Sequence, residues 1–128
     1  MSTPVVAVSP GHSLADAWEA MRSRGTHHVA VVDQAQIVAV LDDRAVVAAW
    51  PTGGPEAPHR RRVAEVMLPR VWCVLPETPV AVVARVMRRA DADAVPVVDA
   101  AGTLLGLVTA TDLVGVLADA ATDSGPVS

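Results

Sequence analysis

The chain has 128 residues, room for one domain of usual size or two very small units sharing a core, which excludes a multidomain assembly. Hydrophobic residues make up 52% and charged residues 19%, a globular composition, while three Trp with neither Phe nor Tyr argue against single-strand nucleic-acid binding by stacking. Ten basic residues, all Arg, against fourteen acidic ones give a net charge of -4, the wrong sign for a general phosphate-backbone binder.

Met1 to Pro10 lacks a basic leader pattern, and no apolar run approaches the about eighteen residues that span a bilayer. A cytoplasmic protein without a membrane partner is expected, and the Ala- and Val-rich, Lys-free composition fits a bacterial source. Val5 to Val8 reads as a short strand. Ser13 with Asp16 three residues on is a capping box, so a helix is predicted behind it with Leu14, Ala17, Trp18 and Met21 on its apolar face, ended by Gly25. His28 to Asp33 and Gln36 to Leu41 read as two strands of a hairpin, followed by a helix from about Asp43 to Trp50.

The Pro- and Gly-rich stretch Pro51 to Pro58 reads as a linker, and Arg60-Arg61-Arg62 beside His59 as a solvated run or a contact for polyphosphate or an acidic partner. Arg62 to Met67 is a short predicted helix leading into the second half. Trp72 and Cys73 lie on a predicted strand. Core packing is expected for all three Trp, although Trp72 and Cys73 are also candidates to line a cavity. The lone Cys73 cannot close an internal disulfide and is expected as an inert buried thiol. A helix then starts behind Thr78 and Pro79, Ala94 to Asp99 and Thr103 to Thr109 are strands, Thr111 to Ala121 is a helix, and Thr122 to Ser128 is a tail.

Those elements repeat. Shifted by 66 positions, Val8, Pro10, Ala15, Met21, Arg22, Val29, Val31, Val32 and Asp33 fall on Val74, Pro76, Ala81, Met87, Arg88, Val95, Val97, Val98 and Asp99 without a gap. The helix face Leu14, Ala17, Trp18, Met21 maps onto Val80, Val83, Ala84, Met87, so both copies are expected to bury the same face. Past the aspartate the offset becomes 68, because the turn Asp99-Ala100-Ala101-Gly102 is two residues longer than its counterpart.

Val63-x-x-Val66-Met67, Pro76, Met87, Val95-Pro96-Val97-Val98-Asp99 and Gly106-Leu107-Val108-Thr109-Ala110-Thr111-Asp112-Leu113 resemble the cystathionine-β-synthase (CBS) domain, here as a tandem pair of the kind called a Bateman module. The resemblance implies an α/β (α+β) fold of two β-α-β-β-α repeats packed about a pseudo-two-fold. A degenerate first repeat and linker would occupy 1–58, and the second repeat with its tail 59–128. It also implies a regulatory module that binds an adenosyl ligand, AMP, ADP, ATP or S-adenosylmethionine, between the repeats, works as a homodimer and acts on an unidentified protein partner. No cofactor is required.

By that resemblance Thr109 and Asp112 form the ribose grip, with Leu107 and Thr111 beside them and Thr26, His27 and His28 facing them from the other repeat. Asp112 can accept hydrogen bonds from both ribose hydroxyls, while amides opening the last helix are available to phosphate. Thr109-x-x-Asp112 is equally an ordinary capping box, and the two roles are compatible. In the pseudo-symmetric pocket Leu41 and Arg44 replace the threonine and aspartate and Asp93 sits where phosphate is expected, so that pocket is expected to be closed by an Arg44–Asp93 pair. His12, His27, His28 and His59 lack metal-ligand spacing, and Ser9, Ser13, Cys73 and the histidines lack nucleophile–base spacing, so no metal site and no enzyme activity are expected. The alternative is a ligand-free interaction or dimerisation protein of the same fold.

Overall fold

The computed structural model describes residues 5–68 and 71–115. In the first repeat only Ala7–Val8 of the leading run forms a strand (β1). Ser13 then caps helix α1 (Leu14–Arg24) reciprocally: its hydroxyl accepts from the Asp16 amide at 3.0 Å and Asp16 accepts from the Ser13 amide at 3.1 Å. Leu14, Ala17 and Met21 are buried, and Gly25, at φ +64°, ends the helix in the left-handed conformation that a side chain resists. Strands β2 (His28–Asp33) and β3 (Gln36–Asp42) form an antiparallel hairpin, with β1 parallel to β2 on its far side. Their turn places Gln34 and Ala35 at positive φ, the two-residue geometry that matches strand twist. Asp42 caps helix α2 (Asp43–Ala48), its carboxylate accepting from the Ala45 amide at 2.7 Å.

The connector is more ordered than its Pro and Gly content predicts. Ala57–Arg60 forms a short helix (α3), with Pro58 in the first turn where a missing N–H costs nothing. Arg60 therefore belongs to an element, while the Arg61 carbonyl accepts from the Leu14 amide at 2.9 Å and the Arg62 guanidinium donates to the Gly11 carbonyl at 3.2 Å. The predicted short helix is a 3-10 turn, Val63–Glu65, and it packs on the first repeat. Val63 is fully buried with Val8, Met21, Val29 and Val46.

The second repeat follows as helix α4 (Val80–Ala90), strands β4 (Ala94–Val98) and β5 (Leu104–Thr109), and a last helix from 110, described to 115. The remainder of the predicted Thr111 to Ala121 helix and the tail lie outside the described residues. The 66-residue correspondence holds in three dimensions: β2 has a register irregularity at Val31/Val32 and β4 at Val97/Val98. The leading strand of the second repeat shrinks to one parallel bridge, Val74 to Val97, against β1's two-residue pairing with Ala30 and Val31.

That loss corrects two expectations. Val74 is buried, but Trp72, Cys73 and Leu75 beside it are exposed, because a segment touching the sheet through one residue covers only that residue. Cys73 is thus a surface residue, although partial burial still pushes its thiol pKa up. Trp50 is also exposed and meets the half-buried Trp18 edge-on, ring centroids 6.0 Å apart, so of the three Trp only Trp18 packs against a core. The leading helices bury the same face at Ala17 and Val83 and at Met21 and Met87, but not at its first position, where Leu14 is fully buried and its counterpart Val80 is 37% exposed. Ala30, Ile37 and Val98 form a third apolar cluster joining the two hairpins, and Gln36 donates from β3 to the Ala101 carbonyl at 3.3 Å.

Candidate functional site

The turn before β2 and the turn before β4 meet where the repeats join. In each repeat the amide opening the following helix closes that turn: Asp43 N–H donates to the His27 carbonyl at 3.0 Å, and Ala110 N–H to the Asp93 carbonyl at 2.8 Å. His28 reaches across the junction, its Nε2 lying 3.0 Å from Asp93 Oδ1 with the imidazole only 12% exposed. That hydrogen bond, against the opposing effect of burial, holds the Asp93 carboxyl below the ordinary carboxylate range. His27 instead turns outward to Asp43 at 2.9 Å, lowering the pKa of that carboxyl too, mainly through the same kind of bond. Thr26 is used locally, its hydroxyl within 3.3 Å of the His28 amide.

A cavity of about 240 Å³ opens beside His28 and Asp93. One wall is β3 from Ala39 to Asp42 with Ala45, another is the end of α4 and start of β4 from Ala90 to Pro96, and Val66, Leu68, Val71 and Trp72 complete it. This is the pocket that the Leu41 and Arg44 replacements were expected to close. The Arg44–Asp93 pair does form, at 3.5 Å, but Arg44 is 80% exposed and reaches Asp93 from outside. Because Ala39, Ala45, Ala90, Ala92 and Ala94 fill little space, the cleft stays open behind the pair.

The other expected constellation is divided. Thr109 and Asp112 pair with each other: the Thr109 hydroxyl accepts from the Asp112 amide at 3.1 Å and Asp112 accepts from the Thr109 amide at 3.0 Å. Two amides at the start of the last helix are engaged rather than available to phosphate, that of Asp112 by the Thr109 hydroxyl and that of Ala110 by the Asp93 carbonyl. Asp112 lines a cavity of about 320 Å³ with Thr78, Val83 and Leu113 inside the second repeat. A larger groove, about 820 Å³, runs along α4 and includes Arg44, Asp93 and Val114. Leu107 is buried and Thr111 exposed, and neither they nor Thr26, His27 and Thr109 line any of these three spaces.

Sequence reasoning passed over Asp42 and Asp91 as site residues. Asp42 caps α2, and Asp91 ends α4 at φ +51°. Ser9 and His12, expected to have no catalytic spacing, do touch: His12 Nδ1 lies 2.8 Å from the Ser9 amide and 3.0 Å from its hydroxyl. A ring nitrogen accepting the backbone N–H is committed to the turn, which makes it a poor base for that hydroxyl. Among the described residues no group of three or more His, Cys, Asp or Glu is placed to hold a metal, and no helix is long and apolar enough to cross a membrane.

The CBS-domain family model matches residues 1–51 and 63–119. The magnesium transporter MgtE of Thermus thermophilus is 33% identical over 129 residues, covering 96% of this chain, which in turn spans only 27% of that protein. The cytosolic domain of the Mg2+ channel MgtE, solved in complex with ATP, superposes with a TM-score of 0.71 at 32% identity, over 88% of this chain and 44% of that one. A putative signal-transduction protein with CBS domains from Burkholderia ambifaria gives 0.77 at 27% identity over 91% and 85%. The CBS domain pair of protein MJ0100, in complex with 5′-methylthioadenosine and S-adenosyl-L-methionine, gives 0.79 at 22%, over 93% and 92%, a likeness of fold. With two matched segments, one hairpin in each and a cleft between them, this chain belongs to the CBS-domain family as a tandem pair.

Proposed function

We propose that this pair is a regulatory module taking an adenosyl ligand in the cavity between its repeats and passing occupancy to a partner domain or chain. The observation that carries this reading is the origin of the cavity walls: β3 comes from one repeat and the α4–β4 turn from the other, so a ligand gripping both favours one arrangement of the repeats. AMP, ADP, ATP and S-adenosylmethionine share the adenosine part such a site would hold. A homodimer is the proposed working unit, with the exposed Val80 and Val114 offering an apolar face to a second copy.

A second reading keeps Asp112 as the ribose ligand, favoured by its place on the wall of the 320 Å³ cavity. Calorimetric titration with the four ligands separates the two. Ala94→Leu, which fills the inter-repeat cavity, should abolish binding, while Asp112→Ala should retain it and lose only helix-cap stability of about 0.5–2 kcal/mol. The reverse pattern moves the site to Asp112, and no heat from any ligand with the unaltered protein turns the assignment to a ligand-free interaction module.

A further inference from the structure

Resting on the reading of the inter-repeat cavity as an adenosyl site, we infer that it selects adenosine bearing a cationic or uncharged 5′ group, a sulfonium or thioether, over adenosine bearing phosphate. Among the described residues, the charged side chains lining the cavity are three carboxylates, Asp42, Asp91 and Asp93, and the lining polar ring, His28, is already bonded to one of them at 3.0 Å. Arg44 offsets part of this charge through Asp93, but it does so from solvent and is not among the lining residues.

A phosphate would need donors, and the nearest set is spent. The N-terminus of α2 borders the cavity through Asp42 and Ala45, where helix amides ordinarily attract anions. Here the Asp43 amide is bonded to the His27 carbonyl and the Ala45 amide to the Asp42 carboxylate. The helix therefore meets its own carboxylate where a phosphate would sit, and like charges at that range repel. Val66, Val71 and Trp72 supply an apolar surface suited to a purine or a thioether. A positive sulfonium adds attraction to the carboxylates, a neutral thioether leaves the balance unchanged, and a phosphate works against it.

The test is titration of the full chain with S-adenosylmethionine, 5′-methylthioadenosine, AMP and ATP, in chelator and at two salt concentrations, repeated with the double variant Asp42→Asn, Asp91→Asn. Asparagine keeps the N-cap at 42 and tolerates the left-handed conformation at 91, so this variant removes charge while retaining the local geometry. S-adenosylmethionine should bind about tenfold or more tighter than AMP, with a preference that shrinks as salt rises and largely disappears in the variant. 5′-Methylthioadenosine should also bind tighter than AMP, with an affinity that does not itself change with salt and a margin over AMP that narrows as salt screens the phosphate. Phosphorylated ligands binding as tightly as the sulfonium, or a preference that survives in the variant, overturns charge selection while leaving an adenosyl site. Failure of all four ligands to bind removes the adenosyl reading itself and this inference with it.

Discussion

The first repeat secures its leading helix with the reciprocal Ser13–Asp16 cap and the Gly25 terminator, whereas the second begins the equivalent helix behind Pro79 without a side-chain cap and ends it on Asp91. The second repeat places its capping box on the last helix instead, at Thr109 and Asp112. The first repeat also buries Val63 from the connector in its core, while the second touches its leading segment through one bridge. One fold is thus reached by two distributions of local signals, and the repeat with the weaker leading edge contributes Trp72 and the acidic turn to the cavity.

Equivalent positions sharpen that contrast. Leu14→Ala should cost about 2–5 kcal/mol and Val80→Ala clearly less, since one residue is fully buried and the other 37% exposed. Urea melts check this, and equal losses would erase the difference between the leading helices. Next in size, Gly25→Ala should lose about 1–2 kcal/mol by forcing a side chain into the left-handed region. At the equivalent terminator Asp91→Gly should instead be neutral or gain up to about 1 kcal/mol, a sign difference that thermal melts would register.

The smallest effect compares the pair inside the first repeat with the pair joining the two. Asp43 and Asp93 have folded pKa values below 3.8, so each contributes stability that is fully present above 3.8 and is lost as pH falls through the lower folded value. Asp93→Asn should flatten the acid limb of stability against pH more than Asp43→Asn does, because the His28 ring is 12% exposed and the His27 ring 80%. Acid titrations followed by circular dichroism decide it, and indistinguishable limbs would mean the contact across the junction has no special weight.

Much of this architecture was legible because local chemistry and the repeat agree. Ser13 with Asp16, Gly25 and the shifted valines each specify a boundary that short-range sterics and hydrogen bonding enforce. Exposure was not legible in the same way: Trp72 and Cys73 look like core strand residues, but their burial depends on how many residues of that segment the sheet engages. The Arg44–Asp93 pairing was readable from charge, while the open cleft behind it was not, since alanines on four separate elements and a turn create that space together. Thr109-x-x-Asp112 carried two meanings, and the structure displays the capping one.

The bond from His28 to Asp93 also acts as an address. A chain with two copies of one fold risks pairing a repeat with the same repeat of another molecule. Two first repeats would present histidine turns to each other, and two second repeats would oppose Ala92-Asp93-Ala94 to itself, so neither arrangement supplies the acid for the base. Only the unlike pairing does, and the covalent connector keeps the unlike partner at high local concentration. The histidine turn and the aspartate turn are complementary to each other and not to copies of themselves.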